Sequence, residues 1–196
     1  MIRDDYKLDN SGNNTGLMIG NNTGSINFSI EKATKISSLI PIVIQSMSDM
    51  CSDDIMENTY NLKPFKPDEK IDYNCIFKYK DIIKKYSAYY YKCEKYLNTF
   101  DNSHIRSKAK ILSWTNLCYM RSKGIIIQEN KYTGKKDIDI IKQNSDKLID
   151  MVQNEIYEII KNSGKIDDMY IEDIDLGITC FICFCFMECK ILEKPL

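Results

Sequence analysis

Apolar residues along this chain repeat at two rhythms. Over most of its length they recur every three or four positions, the spacing of a helix with one buried face. Ile36, Leu39, Ile40, Val43, Ile44, Met47 and Met50 begin this pattern, which sets in near Glu31. Pro41 lies inside it and predicts a kink or break, because proline lacks the N–H that a helix interior needs. Residues 52–70 carry Pro64 and Pro67 among Asp, Asn and Lys and read as a connector. A second helix is predicted over residues 73–97, with Ile76, Phe77, Tyr79, Ile82, Ile83, Tyr86, Tyr90, Cys93 and Tyr96 facing inward. A third covers residues 103–129, with Asn102 and Ser103 as natural N-caps. Its apolar stripe is Ile105, Ala109, Leu112, Leu117, Cys118 and residues 125–127. Gly134 marks a turn, and a fourth helix follows over residues 138–162. Ile141, Leu148, Val152, Ile156 and Ile159 trace its inner face, and Ser163 and Gly164 stop it. The last helix, from Ile171 or Asp175 to Leu192, is apolar almost all round, as expected of the buried centre of a bundle.

The N-terminal residues keep a different rhythm. Gly12-Asn-Asn-Thr-Gly16 and Gly20-Asn-Asn-Thr-Gly24 repeat the same pentapeptide with a period of eight, separated by Leu17-Met18-Ile19. Ser25-Ile26-Asn27-Phe28-Ser29-Ile30 then alternates polar and apolar, the period of a strand. Asn and Gly supply positive-φ turns. The expected architecture is therefore mainly α, a helical bundle of about five helices with a short N-terminal β-hairpin or β-strand element. Residues 1–30 form the β element and residues 31–196 the bundle domain.

Composition narrows the function. With 196 residues and 43% hydrophobic content the chain can build a real core, and its charges cancel to a formal net of -1. The basic footprint of a general nucleic-acid binder is missing, and nothing favours an anionic membrane surface. No apolar run reaches the ~20 residues of a membrane helix. The first residues, Met1 to Lys7, are polar and lack the apolar run of a secretion signal, so a cytoplasmic, reducing setting is expected. The eight cysteines are accordingly read as reduced, buried thiols.

Cys180, Cys183, Cys185 and Cys189 crowd the last helix, yet four thiolates on one straight helix cannot enclose a tetrahedral zinc without ligands from elsewhere. Their neighbours Phe181, Ile182, Phe184, Phe186 and Met187 make a dry environment, which disfavours thiolate. The single histidine, His104, falls at a predicted helix start, and no nucleophile elbow accompanies it. Asp167, Asp168, Glu172, Asp173 and Asp175 lack the EF-hand pattern and suit the N-terminus of the last helix. The glycines of residues 12–24 lack the Lys-Ser/Thr of a phosphate loop. Tyr89, Tyr90 and Tyr91, with lysines nearby, cannot share one helix face and read as part core, part interface. No catalytic residue, metal ligand or cofactor is expected.

What is left is the repeat. Between Gly12 and Ile30 there is no Lys, Arg, Asp or Glu, so the charges that usually protect a strand edge are missing. Short uncharged strands with Asn can pair with copies from other chains and form Asn ladders. Gly12, Asn13, Asn14, Gly16, Leu17, Ile19, Gly20, Asn21, Asn22, Gly24, Ile26 and Phe28 are the expected assembly residues.

Several stretches carry a family resemblance. They are Lys70-Ile-Asp-Tyr-Asn74, Lys78-Tyr-Lys-Asp-Ile-Ile83, Lys108-Ala-Lys-Ile-Leu112 with Tyr119 and Lys123-Gly124, Asp139-Ile-Ile-Lys-Gln-Asn144 with Asp146, and Cys189-Lys-Ile-Leu-Glu-Lys-Pro195. Residues 68–195 resemble the helical C-terminal module of bacterial ABC-three-component anti-phage defence systems, in a stand-alone form. In that family large effectors carry the module and act with an ATPase and a small middle component. The resemblance implies an adaptor or assembly role beside a defence effector or ATPase; the unprotected repeat adds the expectation of a homo-oligomer, and the charge balance that of no nucleic acid or membrane. At 196 residues, no effector domain is expected beside the helical module. The Gly-Asn-Asn-Thr-Gly repeat also resembles bacterial amyloid signalling motifs, which gives the alternative of a repeat that nucleates cross-β polymers to recruit an effector.

Overall fold

The computed structural model describes residues 37–52, 66–163 and 169–195. The chain divides into two units, Met1–Thr34 and Lys35–Leu196, and the description concerns the second. It is mainly helical, as the periodicity predicts, and no strand occurs among the described residues. The helices are α1 (Ile40–Ser52), α2 (Pro67–Tyr73), α3 (Lys80–Tyr86), α4 (Tyr90–Ser103), α5 (Ser107–Glu129), α6 (Asp137–Gln143), α7 (Ser145–Asn162) and α8 (Ile171–Met187), with a 3-10 turn over Ser87–Tyr89. Eight described helices thus replace the expected five. The β element and all twelve expected assembly residues, Gly12 to Phe28, lie outside the described residues.

Each extra helix arises from a local break, and beside the first of them Phe77 and Ile82, expected inside, are exposed. Residues 67–70, expected in a connector, open α2: Pro67 takes the first helical position, where its missing N–H costs nothing. The Glu69 carboxylate accepts the Lys66 N–H at 3.4 Å. The helix expected over residues 73–97 is cut after Tyr73, where Cys75 turns left-handed (φ 54°), and again by the 3-10 turn before α4. Asn102 and Ser103 do not cap the third helix; they end α4. Arg106 (φ 62°) then reverses the chain. Asp101 does the capping, accepting the Lys108 N–H at 2.9 Å and the Ser107 hydroxyl at 3.2 Å. The helix expected over residues 138–162 breaks at Asn144, between α6 and α7. The turn at Gly134 stands as predicted (φ 67°).

Pro41 produces no kink. Helix α1 begins at Ile40, so the proline sits in the first turn, where no hydrogen bond is lost. The predicted stripe of α5 is rotated. Ile105 (80% exposed), Leu117 and Ile125 face outward, and Ala109 is exposed, while Ile111, Leu112, Thr115, Cys118, Tyr119, Ser122 and Ile126 are buried.

Helix α8 is central. It packs on α1, α3, α4, α7 and the 3-10 turn, while α5 packs on α4, α6 and α7. Its run from Cys180 to Phe186 is buried throughout. No described helix is long and apolar enough to cross a membrane. The closest approach is α1 to α8 at Gly177, where an added Cβ would stand 2.2 Å from the Ile44 carbonyl oxygen.

That contact fixes a sign. A methyl group facing a main-chain carbonyl cannot be relieved by a rotamer change, so the helices must part. Overpacking costs roughly 1–3 kcal/mol, occasionally more, against about 1 kcal/mol of helix propensity gained on replacing Gly by Ala. Gly177→Ala is expected to lower stability by about 1–2 kcal/mol. Gly124→Ala, where a Cβ meets nothing within 4 Å, is expected to raise it by up to about 1 kcal/mol. Urea unfolding at low protein concentration measures both, and shifts of the same sign would refute this account of the α1–α8 contact.

Candidate functional site

The densest polar chemistry in the described residues surrounds the segment 188–195. Helix α8 was expected to reach Leu192 but stops at Met187. Its end is a Schellman turn: the Lys190 N–H donates to the Cys185 carbonyl at 2.9 Å and the Cys189 N–H to the Phe186 carbonyl at 3.1 Å. Cys189 (φ 53°) holds the left-handed position that glycine usually fills, and Leu192 (φ 59°) turns the chain once more. Helix α2 ends the same way. Ile76 N–H donates to the Ile71 carbonyl and Cys75 N–H to the Asp72 carbonyl, with Cys75 at the left-handed position.

Lys70 and Asn74, one turn apart on α2, join these two helix ends. Lys70 is 2% exposed. Its Nζ donates to the Phe186 carbonyl at 2.5 Å and to the Ile191 carbonyl at 3.0 Å, and lies 4.3 Å from the centre of the Phe186 ring. Asn74 Nδ2 donates to the Glu193 carbonyl at 2.8 Å and to the Lys70 carbonyl at 2.9 Å, while its Oδ1 accepts the Glu193 N–H at 2.9 Å. Ser145 donates its hydroxyl to the Asn74 carbonyl at 2.6 Å. From α5, Asn116 Nδ2 donates to the Lys190 carbonyl at 2.9 Å. The Tyr119 hydroxyl and the Lys123 ammonium each donate to Glu193 Oε1 at 2.7 Å. Tyr90 donates to the Glu188 carboxylate. Nearby, Asp146 on α7 accepts the N–H groups of Phe77 and Lys78, both at 3.1 Å, and fastens the loop between α2 and α3.

Burial pushes the Lys70 ammonium down to about 8, with Cys189, Cys185 and Glu193 opposing it. For Glu193, burial alone would raise the carboxyl, but Lys123 and Tyr119 outweigh it and the net direction is downward. A lysine with a lowered pKa is often a nucleophile or base at an active site. Lys70 lacks the exposure a substrate would need, and two of its three donors are held by carbonyls. Its geometry is that of a clamp on main-chain carbonyls.

The cysteine cluster divides differently from its sequence spacing. Cys180 meets Cys93 of α4, with sulphurs 3.5 Å apart. Cys183 and Cys185 are buried as well. All eight cysteines are free thiols, and six of them are buried as expected. Cys75 is exposed and Cys189 half-buried, which departs from that expectation. Hydrogen bonds to Cys51 and Cys93 push the Cys180 thiol up, and burial does the same to Cys183 and Cys185. Burial, with Glu155, pushes Cys118 up to about 12. These thiols stay protonated and inert near neutrality. Among the described residues no three His, Cys, Asp or Glu side chains are arranged to hold a metal ion.

The reading of His104 is corrected, while Glu172 and Asp173 stand in the first turn of α8 as expected. His104 does not start a helix; it ends α4 and stacks on Phe100 at 4.3 Å. Of the acidic group, Asp173 accepts the Ser48 hydroxyl at 3.1 Å, Glu172 and Asp175 are exposed, and Asp167 and Asp168 lie outside the described residues. Tyr89 and Tyr90 are core and Tyr91 is half-buried, the mixed role read from the sequence. Sequence reasoning missed the clamp, because Lys70 looks like any charged residue of a connector. The sole signal was the set of stretches behind the family resemblance: Lys70, Asn74, Tyr119, Lys123 and residues 189–195 all meet here. Comparison with protein-family models, curated proteins and solved structures finds no match for this chain.

The clamp has a pH signature. Unfolded, Lys70 keeps its proton to about pH 10.5; folded, it releases it near 8. Between those values the unfolded chain binds more protons, so this group adds stability as pH rises. Buried thiols and tyrosines act in the opposite direction, but they are common to wild type and Lys70→Met and cancel in the comparison. From pH 7 to pH 10 wild type is expected to gain about 2 kcal/mol over Lys70→Met, at roughly 1.4 kcal/mol per unit of pKa difference. Urea unfolding of both proteins at the two pH values measures this, and a constant difference would show that the ammonium is not buried in the folded state.

Proposed function

We propose that this chain is a non-catalytic assembly or adaptor protein of bacterial anti-phage defence, which self-associates or docks on a defence effector or ATPase through its Gly-Asn-Asn-Thr-Gly repeat. One observation carries the reading. Among the described residues, the buried groups that could do chemistry are consumed in holding the helical body together. Lys70 is spent on two carbonyls, Glu193 on Lys123 and Tyr119, and the core thiols on each other or on apolar contacts. Some of the residues that carry the family resemblance, Lys70, Asn74, Tyr119, Lys123 and the segment 189–195, meet at the clamp, which supports reading them as the signature of a shared helical body. The uncharged repeat remains the part of the sequence best suited to intermolecular pairing.

Charges placed on the repeat test this. A chain carrying Leu17→Lys and Ile19→Lys is expected to keep its helical circular dichroism and to lose native mass in size-exclusion chromatography with light scattering. Deleting residues 1–28 is expected to have the same effect. An unchanged native mass in both variants would sink the assembly role of the repeat.

A further inference from the structure

Two surfaces of the helical body carry exposed apolar side chains beside charges that form no ion pair among the described residues, and they complement one another. The first is on α5. Lys110, Ser113, Leu117, Met120 and Gly124 are all exposed and follow one another at spacings of 3, 4, 3 and 4, the seam of a packing helix. Met120 is 58% exposed, and Arg121 flanks the seam on the same side as Lys110. Neither Lys110 nor Arg121 joins an ion pair among the described residues. The second surface is the start of α8. Tyr170 (77% exposed) and Ile171 (60% exposed) stand beside the exposed carboxylates of Glu172 and Asp175. These two carboxylates also form no ion pair among the described residues.

We infer that the basic, apolar face of α5 in one copy receives the acidic, apolar start of α8 from a second copy. Charge chooses the occupant. Two α5 faces brought together would oppose Lys110 and Arg121 to like charges, and two α8 ends would oppose carboxylate to carboxylate. The mixed pairing removes large apolar side chains from water on both sides and neutralises each charge. Such a contact is heterologous, so it can repeat from copy to copy instead of closing at a dimer. This inference rests on reading the chain as an assembly protein and adds a second contact to that of the repeat.

Charge reversal in the full-length chain tests it. Lys110→Glu with Arg121→Glu is expected to weaken self-association at least tenfold, and so is Glu172→Lys with Asp175→Lys. All four reversals in one chain are expected to restore it, because each contact is again between opposite charges. Mere damage to the fold would add up instead of cancelling. The series is read by light scattering in the background of Leu17→Lys with Ile19→Lys, which silences the repeat. Association that persists in that background and follows the charge pattern supports the contact. A monomer in that background at all concentrations overturns the contact but leaves the repeat standing. Association indifferent to the four charges also overturns it. Raising the salt concentration is expected to weaken the contact in the wild-type and fourfold-reversed chains alike.

Discussion

An ammonium group in a dry interior must find partners, and the path of residues 188–195 follows from the way Lys70 finds them. The carbonyls at the end of a helix lack intrahelical donors. The end of α8 offers Phe186, and the segment beyond it offers Ile191, once Cys189 and Leu192 have turned left-handed. The cation therefore satisfies acceptors that burial would otherwise leave short, and these acceptors in turn make its own burial tolerable. Phe186 already accepts the Cys189 N–H, so Lys70 matters most to Ile191. Asn74 extends the join with three hydrogen bonds that exhaust its Oδ1 and Nδ2 roles toward the Lys70 and Glu193 main chain. The result ties α2, the end of α8, α5 and α7 at one place.

The same economy shapes the centre of α8. A helix surrounded on every side needs side chains that fill space without demanding hydrogen bonds. Phenylalanine supplies bulk, and cysteine supplies a small polarizable filler between rings. Its sulphur can sit against another sulphur, as Cys180 does against Cys93, or near a carbonyl, as Cys183 does against that of Ile82. Dryness then suppresses the thiolate, so a cysteine-rich helix becomes chemically quiet for the reason that makes it a good core. Gly177 belongs to the same logic: α1 comes so near α8 that no side chain fits between them.

Much of what could be read from the sequence came from the apolar period, with glycine marking one turn. The inner face of α7, the all-round burial of α8 and the turn at Gly134 come out as predicted. Two of the breaks were hidden because they do not disturb that period. Asn144 interrupts a helix without displacing Ile141 or Leu148 from the core, and Ser87–Tyr89 tightens a turn while Tyr89 and Tyr90 stay inside. Left-handed residues were hidden for another reason. Cys75, Arg106 and Cys189 occupy positions where glycine or asparagine would have signalled a turn. The clamp could not be predicted, because the partners of Lys70 are main-chain carbonyls more than a hundred residues away. The expected assembly residues fall outside the described part of the chain, so the repeat is argued from its sequence only.

The misjudged phase of α5 is itself informative. An amphipathic helix that serves only its own monomer gains most by burying leucine and methionine and exposing serine and threonine. Helix α5 buries Thr115 and Ser122 and leaves Leu117 and Met120 in solvent. Thr115 recovers part of the cost by donating to the Ile111 carbonyl at 2.9 Å, but the Ser122 hydroxyl finds no partner among the described residues. Turning the helix the other way would break the clamp, since Asn116, Tyr119 and Lys123 reach residues 188–195 from its present inner face. The clamp thus dictates the rotation of α5, and that rotation sets an apolar seam facing outward. Single exposed apolar residues need no explanation, but Leu117 and Met120 side by side on one seam, flanked by Lys110 and Arg121, make a mixed apolar and basic face that a partner would cover. A second copy bringing carboxylates and an aromatic ring to that face is such a partner.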